Sequence, residues 1–410
     1  MKTLLFTLEY PPFKGGVANY YGNIVKYWPS YAEATEGKPA DTISVLNNND
    51  GWLVNNKLPF LKWLPAVWQL WRATKCPLDK GGMGGYHILV GHILPLGTAA
   101  LVIKKIKGVP YSVVLHGMDL SLALKAGRKK WLAKKILKHA SRIICAASFT
   151  ANMARGAIGG KGAEKVSVVN PGVDFHITHN MEHITKIKEE YNLKNKIILF
   201  SIGRLVKRKG FDRVIEATPA ILKEAPNLVY VIAGTGPDEE YLKKLVKGVQ
   251  HPIGCWTPLA GNQSAAVETR QCLVSTNVDA PLIKGDRGII FLGKISDEEK
   301  WAWLDLCDIF TMPSRQIGDD FEGFGIVYLE ASLAGKPIVA GRSGGVKDAV
   351  LDGETGLLVN PESADEIAAA IIKLAKDEKL RKKLGEAGRR RVEEKFGWGK
   401  QVGKICSIIK

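Results

Sequence analysis

Short β-branched or apolar runs alternate along the whole chain with segments long enough to be helices. Six strand candidates fall in the first half: Lys2–Leu8, Thr42–Leu46, Ile88–Val90, Tyr111–Leu115, Arg142–Ala146 and Val166–Val169. Six more follow: Ile197–Ile202, Leu228–Ala233, Gly288–Leu292, Ile309–Met312, Pro337–Ala340 and Gly356–Val359. Strands spaced by helices cannot be joined as hairpins, so they make βαβ units and parallel sheets. Two sets of six predict an α/β protein with two doubly wound, Rossmann-like domains facing a cleft. A chain of 410 residues exceeds what one ordinary core holds, which agrees with two domains.

The first domain is expected over residues 1–176 and the second over 193–394, with the polar stretch Phe175–Asn195 between them. A charged helix is predicted from Ala364 to Glu394, and the segment Lys395–Lys410 is expected to pack elsewhere, with the first domain as candidate. Residues Val249–Arg287 show little periodicity of either kind and read as an insertion loop between a helix at Glu239–Lys247 and the next strand.

Other classes are disfavoured by composition. Cys76, Cys145, Cys255, Cys272, Cys307 and Cys406 form no C-x-x-C pair, so neither a disulfide framework nor a zinc site is expected, and a reducing cytosol fits. The opening MKTLLFTLEYPP has too short an apolar run for a signal peptide, and nothing approaches membrane-spanning length. Through residue 190 there are 25 Lys and Arg against 12 Asp and Glu, so the first half carries most of the +17 net charge. A nucleic-acid binder would interleave aromatic and basic residues on a sheet face or show a reading helix, and neither is visible. No nucleic-acid partner is therefore expected.

Three loops carry the chemistry. After the first strand comes Pro11-Pro12-Phe13-Lys14-Gly15-Gly16-Val17, with a helix expected near Ala18. Adjacent glycines let backbone amides approach an anion, but this is not the G-x-G-x-x-G of dinucleotide enzymes. The second half opens Ser201-Ile202-Gly203-Arg204-Leu205-Val206-Lys207-Arg208-Lys209-Gly210, four cations at a strand's C-terminal end, suited to two phosphates. Third is Glu322-Gly323-Phe324-Gly325-Ile326-Val327-Tyr328-Leu329-Glu330. With a helix starting near Ile326, Glu330 lies one turn in and Glu322 in the loop before it. Both can line one pocket, beside the unpaired amides of a helix start.

These motifs, with Ala334–Ala340, Ser343-Gly344-Gly345 and Asp352–Val359, resemble the large retaining glycosyltransferase family 4, of GT-B fold, and more particularly its mannosyltransferase-like members. The likeness covers nearly the whole chain apart from 249–287. It implies that Arg204 and Lys209 hold a donor diphosphate and that Glu330 binds the nucleotide ribose. Glu322 would lie by the donor sugar, with Phe324, Gly325, Ile326 and Val327 nearby, and Gly16 would meet the diphosphate from the first domain. Asp297 and Lys300 match residues near the base. His116, in Leu115-His116-Gly117-Met118-Asp119, sits at a strand end facing the cleft and joins Glu322, Arg204 and Lys209 at the reacting centre. Asp119 either orients a ring or an acceptor hydroxyl, or caps the next helix.

The resemblance implies transfer of a hexose from GDP-mannose or a UDP-hexose to a lipid-linked or polysaccharide hydroxyl, with retention. Cations and amides would stabilise the departing diphosphate. No cofactor or metal is expected, although an Asp319-Asp320 pair exists. Front-face attack and a Glu322 nucleophile both stay open. An epimerase or sugar-phosphate synthase of the same fold is the alternative. In the segment Leu124–Ala140, Lys130, Lys134 and Lys138 fall at i, i+4 and i+8 and make one stripe, with Trp131, Leu132 and Ile136 toward another face. Such a helix suits an anionic lipid surface, which predicts a cytoplasmic protein peripheral to the membrane's inner face.

Overall fold

The computed structural model describes residues 2–13, 15–33, 42–54, 61–74, 85–125, 127–160, 162–175, 181–248 and 288–410. The expected insertion at 249–287 and Lys14 of the first glycine loop lie outside them. All twelve expected strands form: β1 (Lys2–Phe6), β2 (Thr42–Leu46), β3 (Tyr86–Val90), β4 (Tyr111–Leu115), β5 (Ile143–Cys145), β6 (Val166–Val168), β7 (Ile197–Ile202), β8 (Leu228–Ala233), β9 (Ile289–Gly293), β10 (Ile309–Met312), β11 (Ile338–Gly341) and β12 (Gly356–Val359). Every pairing among them is parallel.

The first sheet has the order β2-β1-β3-β4-β5-β6, the second β12-β11-β10-β7-β8-β9. Strand order reverses between β1 and β3 in one and between β7 and β10 in the other. Crossover helices diverge at such a reversal and leave a crevice at the strands' C-terminal ends. The loops after β1, β3, β7 and β10 are thereby aimed at the cleft.

Both faces of each sheet are covered, as parallel sheets require. Ile88, Val90, Val113 and Leu115 point into one layer with helices Leu96–Lys107 and Gly127–His139. On the opposite face Leu5, Leu89, Val114 and Ile144 meet the helix Gly16–Glu33 and, from the far end of the chain, the helix Trp398–Ile409. The chain therefore returns to its first sheet: Trp398, Val402, Ile405 and Ile409 are buried there, and Trp398 stacks edge-on to Tyr20 at 5.5 Å. Where it crosses back, Val173 bridges Gly397 in parallel.

Two local expectations are corrected. The first-domain helix starts at Gly16 rather than Ala18. The helix expected from Ala364 to Glu394 is two, Ala364–Lys376 and Glu378–Lys395, because extended Asp377 breaks the run and its carboxylate caps the second by accepting from the Leu380 amide.

The last helix sets a test. Deleting a buried indole typically costs about 3–5 kcal/mol. Trp398→Ala should lower the urea midpoint followed by circular dichroism accordingly; an unmoved midpoint would mean the helix contributes nothing to the first sheet.

Candidate active site

The loop after β10 carries the centre of the site. Glu322 lies on it, its side chain only 10% exposed, and accepts from Lys209 Nζ at 2.6 Å and Arg208 Nη1 at 2.9 Å. Arg208 also reaches Asp320 through Nε at 3.0 Å. Burial works against charge on Glu322, but Lys209 and then Arg208 outweigh it and hold the carboxyl below its ordinary range. Two backbone contacts fix the loop. The Glu322 carbonyl accepts from the Gly345 amide at 2.9 Å, and the Arg315 amide donates to the Arg208 carbonyl at 2.7 Å, tying the β7 and β10 loops together. Beneath them Arg315 and Asp212 form a second buried pair at 2.6 Å.

The sequence reading takes Arg204 and Lys209 as the paired cations. The structure brings Lys209 and Arg208 together on Glu322. Arg204 is exposed and makes no ion pair among the described residues. In the short 3-10 turn Lys207–Lys209, Lys207 is exposed, while Arg208 and Lys209 are half-buried and reach Glu322 with their long side chains.

Glu330, one turn into the helix Ile326–Leu333, is bonded by Lys300 at 2.8 Å, and Lys300 also reaches Asp297 at 3.3 Å. Burial opposes the charge of Lys300, and Glu330 more than restores it, so its ammonium titrates above the usual range. Asp297 is 94% exposed and Lys300 is the buried member. Phe324 is buried, so only its backbone can serve a ligand. Gly325, at φ 85°, turns the chain into the helix and leaves the first-turn amides of Ile326 and Val327 without helical partners. The pair Asp319-Asp320 diverges: Asp319 meets Lys125 at 2.9 Å and Asp320 meets Arg208, so the two carboxylates serve different cations.

From the first domain, Gly16 is exposed, with open space where a Cβ would stand. His116 ends β4, and its carbonyl lies against Gly323: a Cβ there would come within 2.3 Å of that oxygen. Only glycine lets the Glu322 loop approach so closely. The seam continues with Phe149 against Phe321 at 4.8 Å between ring centroids and Ser121 Oγ donating to the Asp319 carbonyl at 3.2 Å. Burial, aided by His92, pushes the His116 imidazole down to about 3, so it is neutral near pH 7. Its Nε2 is 2.9 Å from the Tyr21 hydroxyl.

Asp119 holds the turn that follows β4. Its Oδ1 accepts from the amides of His116 and Gly117, each at 3.0 Å, and its Oδ2 is buried without a partner. Burial raises its pKa against those amide bonds.

Lys130 and Lys138 are exposed and Lys134 half-buried on the helix Gly127–His139. Trp131 is not on another face, as the sequence reading has it. It is 62% exposed beside the lysines, with Lys135 Nζ 4.5 Å from its ring centroid, while Ile136 is buried and Leu132 half-buried. The sequence reading also passes over the helix Leu64–Ala73. There Trp68 and Trp71 are 55% and 40% exposed, each under a cation, Arg72 and Lys107. Among the described residues no helix is long and apolar enough to cross a membrane.

The Glu322 cluster gives a pH test. Because the folded carboxyl titrates below the ordinary 4.5, its ion pair stabilises above that value and is lost as pH falls through the folded pKa. Glu322→Gln should cost on the order of 3 kcal/mol at neutral pH, since it strands half-buried Lys209 and leaves Arg208 only Asp320. The gap from the parent should narrow in urea melts below pH 4.5; a gap independent of pH would contradict the pairing.

Comparison with known proteins agrees with this arrangement. The model of the family described as "Glycosyl transferases group 1" matches residues 183–253 and 284–391, and that of "Glycosyltransferase Family 4" matches residues 15–176. The chain is 26% identical over 416 residues to the GDP-mannose-dependent alpha-(1-6)-phosphatidylinositol monomannoside mannosyltransferase of Mycolicibacterium smegmatis, covering 99% of this chain and 97% of that one. The protein of the same description from Mycobacterium tuberculosis is 27% identical over 421 residues, covering 100% and 98%. Among solved structures, Anabaena HepE in complex with UDP superposes with a TM-score of 0.70 at 18% identity, covering 99% of each chain. Two matched lobes, two parallel six-stranded sheets and a cation–carboxylate site at their reversal points thus lead to one assignment: the chain belongs to the family 4 glycosyltransferases of GT-B fold, and is mannosyltransferase-like.

Proposed function

We propose that the chain transfers mannose from GDP-mannose to a lipid-linked acceptor, with retention of configuration and without a metal ion. The observation that carries this is the cluster of Lys209, Arg208 and Glu322 on the loops after β7 and β10, followed by the Lys300–Glu330 pair on the helix that the second of those loops enters. A nucleoside diphosphate meets such a site with its pyrophosphate on the cations and helix-start amides and its ribose hydroxyls on Glu330. Lys209 and Arg208 then face the charge that builds on the leaving diphosphate, in place of a divalent cation. Arg204, exposed at the mouth of the same loop, keeps its expected phosphate role as a reaching side chain. Gly16 would meet the same diphosphate from across the cleft. Neutral His116 accepts or donates at a sugar hydroxyl, and Glu322 lies by the sugar. The GDP base and the acceptor class are taken from the relatives, whose names specify GDP-mannose and a phosphatidylinositol mannoside.

The acceptor reading places the first domain on anionic lipid, peripherally. Trp131 and Lys135 pair at the surface of the helix that also exposes Lys130 and Lys138, and indole rings with nearby ammonium groups suit the headgroup region.

Thermal melts against GDP, GDP-mannose, UDP and UDP-glucose test the donor. A ligand at 100 times its Kd stabilises by about 2.7 kcal/mol. GDP should shift the melt more than UDP, Lys209→Ala should abolish the shift, and EDTA should leave transfer to phosphatidylinositol mannoside intact; a UDP-only shift would overturn the donor. Each lysine near an anionic surface is worth about 1 kcal/mol, so Lys130→Glu, Lys134→Glu and Lys138→Glu combined should weaken binding to phosphatidylinositol-containing vesicles by on the order of 100-fold. Equal flotation of parent and variant would remove the lipid face.

A further inference from the structure

The protonation geometry of His116 is set by a residue outside the motifs. Tyr21 is fully buried on the helix Gly16–Glu33, and its hydroxyl donates to the Gly91 carbonyl at 2.7 Å. The same oxygen lies 2.9 Å from His116 Nε2. A phenol has one proton to give. If it went to His116, the buried Gly91 carbonyl would lose its side-chain donor, and no other donor reaches it among the described residues. An orphaned buried carbonyl is costly enough to make that arrangement the minor one. The Tyr21 oxygen therefore acts as acceptor toward the ring, and Nε2 must carry the hydrogen.

Among the described residues the ring makes no other hydrogen bond. Tyr20 packs edge-on at 4.8 Å between ring centroids, braced from behind by Trp398. Tyr21 packs edge-on at 5.4 Å. Asp119 Oδ1 accepts from backbone amides, its Oδ2 has no hydrogen-bond partner among the described residues, and His92 Nδ1 accepts from the Leu8 amide at 3.4 Å. His116 Nδ1 has no hydrogen bond among the described residues, and the ring holds no second proton near pH 7.

We infer that Tyr21 is a positioning residue: by donating to the Gly91 carbonyl it locks His116 as the Nε2–H tautomer, so that Nδ1 presents a lone pair to a hydroxyl of the sugar in transfer. The sugar hydroxyl rests on the transferase reading; the tautomer does not. In this state His116 accepts a hydrogen bond from substrate and offers no proton to it.

Nitrogen-15 NMR of protein labelled in histidine reads the tautomer directly, with the His116 signals assigned by their loss in His116→Gln. The parent should show protonated Nε2 and bare Nδ1 at pH 7, by at least ten to one. Tyr21→Phe removes the acceptor and should bring the two nitrogens toward a mixed population. Gly91→Ala keeps the hydroxyl but drives it away, since the new Cβ would stand 2.7 Å from Tyr21 Cζ, and should do the same. With GDP-mannose as probe, kcat of Tyr21→Phe should fall about ten-fold while KM and the GDP thermal shift hold. A parent with Nδ1 protonated, or a Tyr21→Phe spectrum identical to the parent's, overturns the tautomer lock. A tautomer change that leaves kcat untouched overturns its link to transfer. A locked tautomer in a protein that no guanine nucleotide stabilises would instead sink the donor assignment alone.

Discussion

A carboxylate buried between a guanidinium and an ammonium is the interaction on which the rest of this site is arranged. Glu322 stays charged because Lys209 and Arg208 are within hydrogen-bond reach, and Glu322 in turn, with Asp320 on Arg208, offsets the partial loss of water around them. The fold supplies what that mutual dependence needs. β7 and β10 are neighbours at the strand reversal, so the two loops that follow them leave the sheet side by side. The bond from the Arg315 amide to the Arg208 carbonyl and the Arg315–Asp212 pair then hold those loops in step.

The same loop makes the seam between lobes. Glu322 follows Phe321 and precedes Gly323, and both neighbours touch the first domain: the ring against Phe149, the glycine against the His116 carbonyl. The charge cluster of one lobe and the neutral imidazole of the other are thus set by a single three-residue stretch.

Much of this was legible in the sequence. All twelve strands are, because a parallel strand buried on both faces reads as an unbroken apolar run between helix-length segments. Glu322 and Glu330 are singled out by the glycines around them and Lys209 by its place after a strand, whereas Lys300 enters only through the family resemblance. Arg208 is visible only as one of four cations; which of them meets Glu322 depends on backbone angles that no periodicity encodes. Tyr21 leaves no signal, being one aromatic on the apolar stripe of a helix, and its role exists only because Gly91 and His116 arrive from strands far along the chain. Trp131 is misplaced because a lysine-rich helix is ambiguous about which edge of its apolar arc is covered. The break at Asp377 is readable as a cap only once the chain is known to leave helical angles there.

The return of the final helix has a consequence for how the molecule can be divided. The face of the first sheet that holds Tyr20, Tyr21 and Trp28 is closed by Trp398, Val402 and Ile405, nearly four hundred residues away in the chain. The amino-terminal lobe is therefore not a contiguous stretch of gene. Cutting the polypeptide at the waist would yield a carboxy-terminal half carrying an orphan amphipathic tail and an amino-terminal half with an open flank, and only fusing that tail back to the amino-terminal half would restore a lobe that can be studied alone.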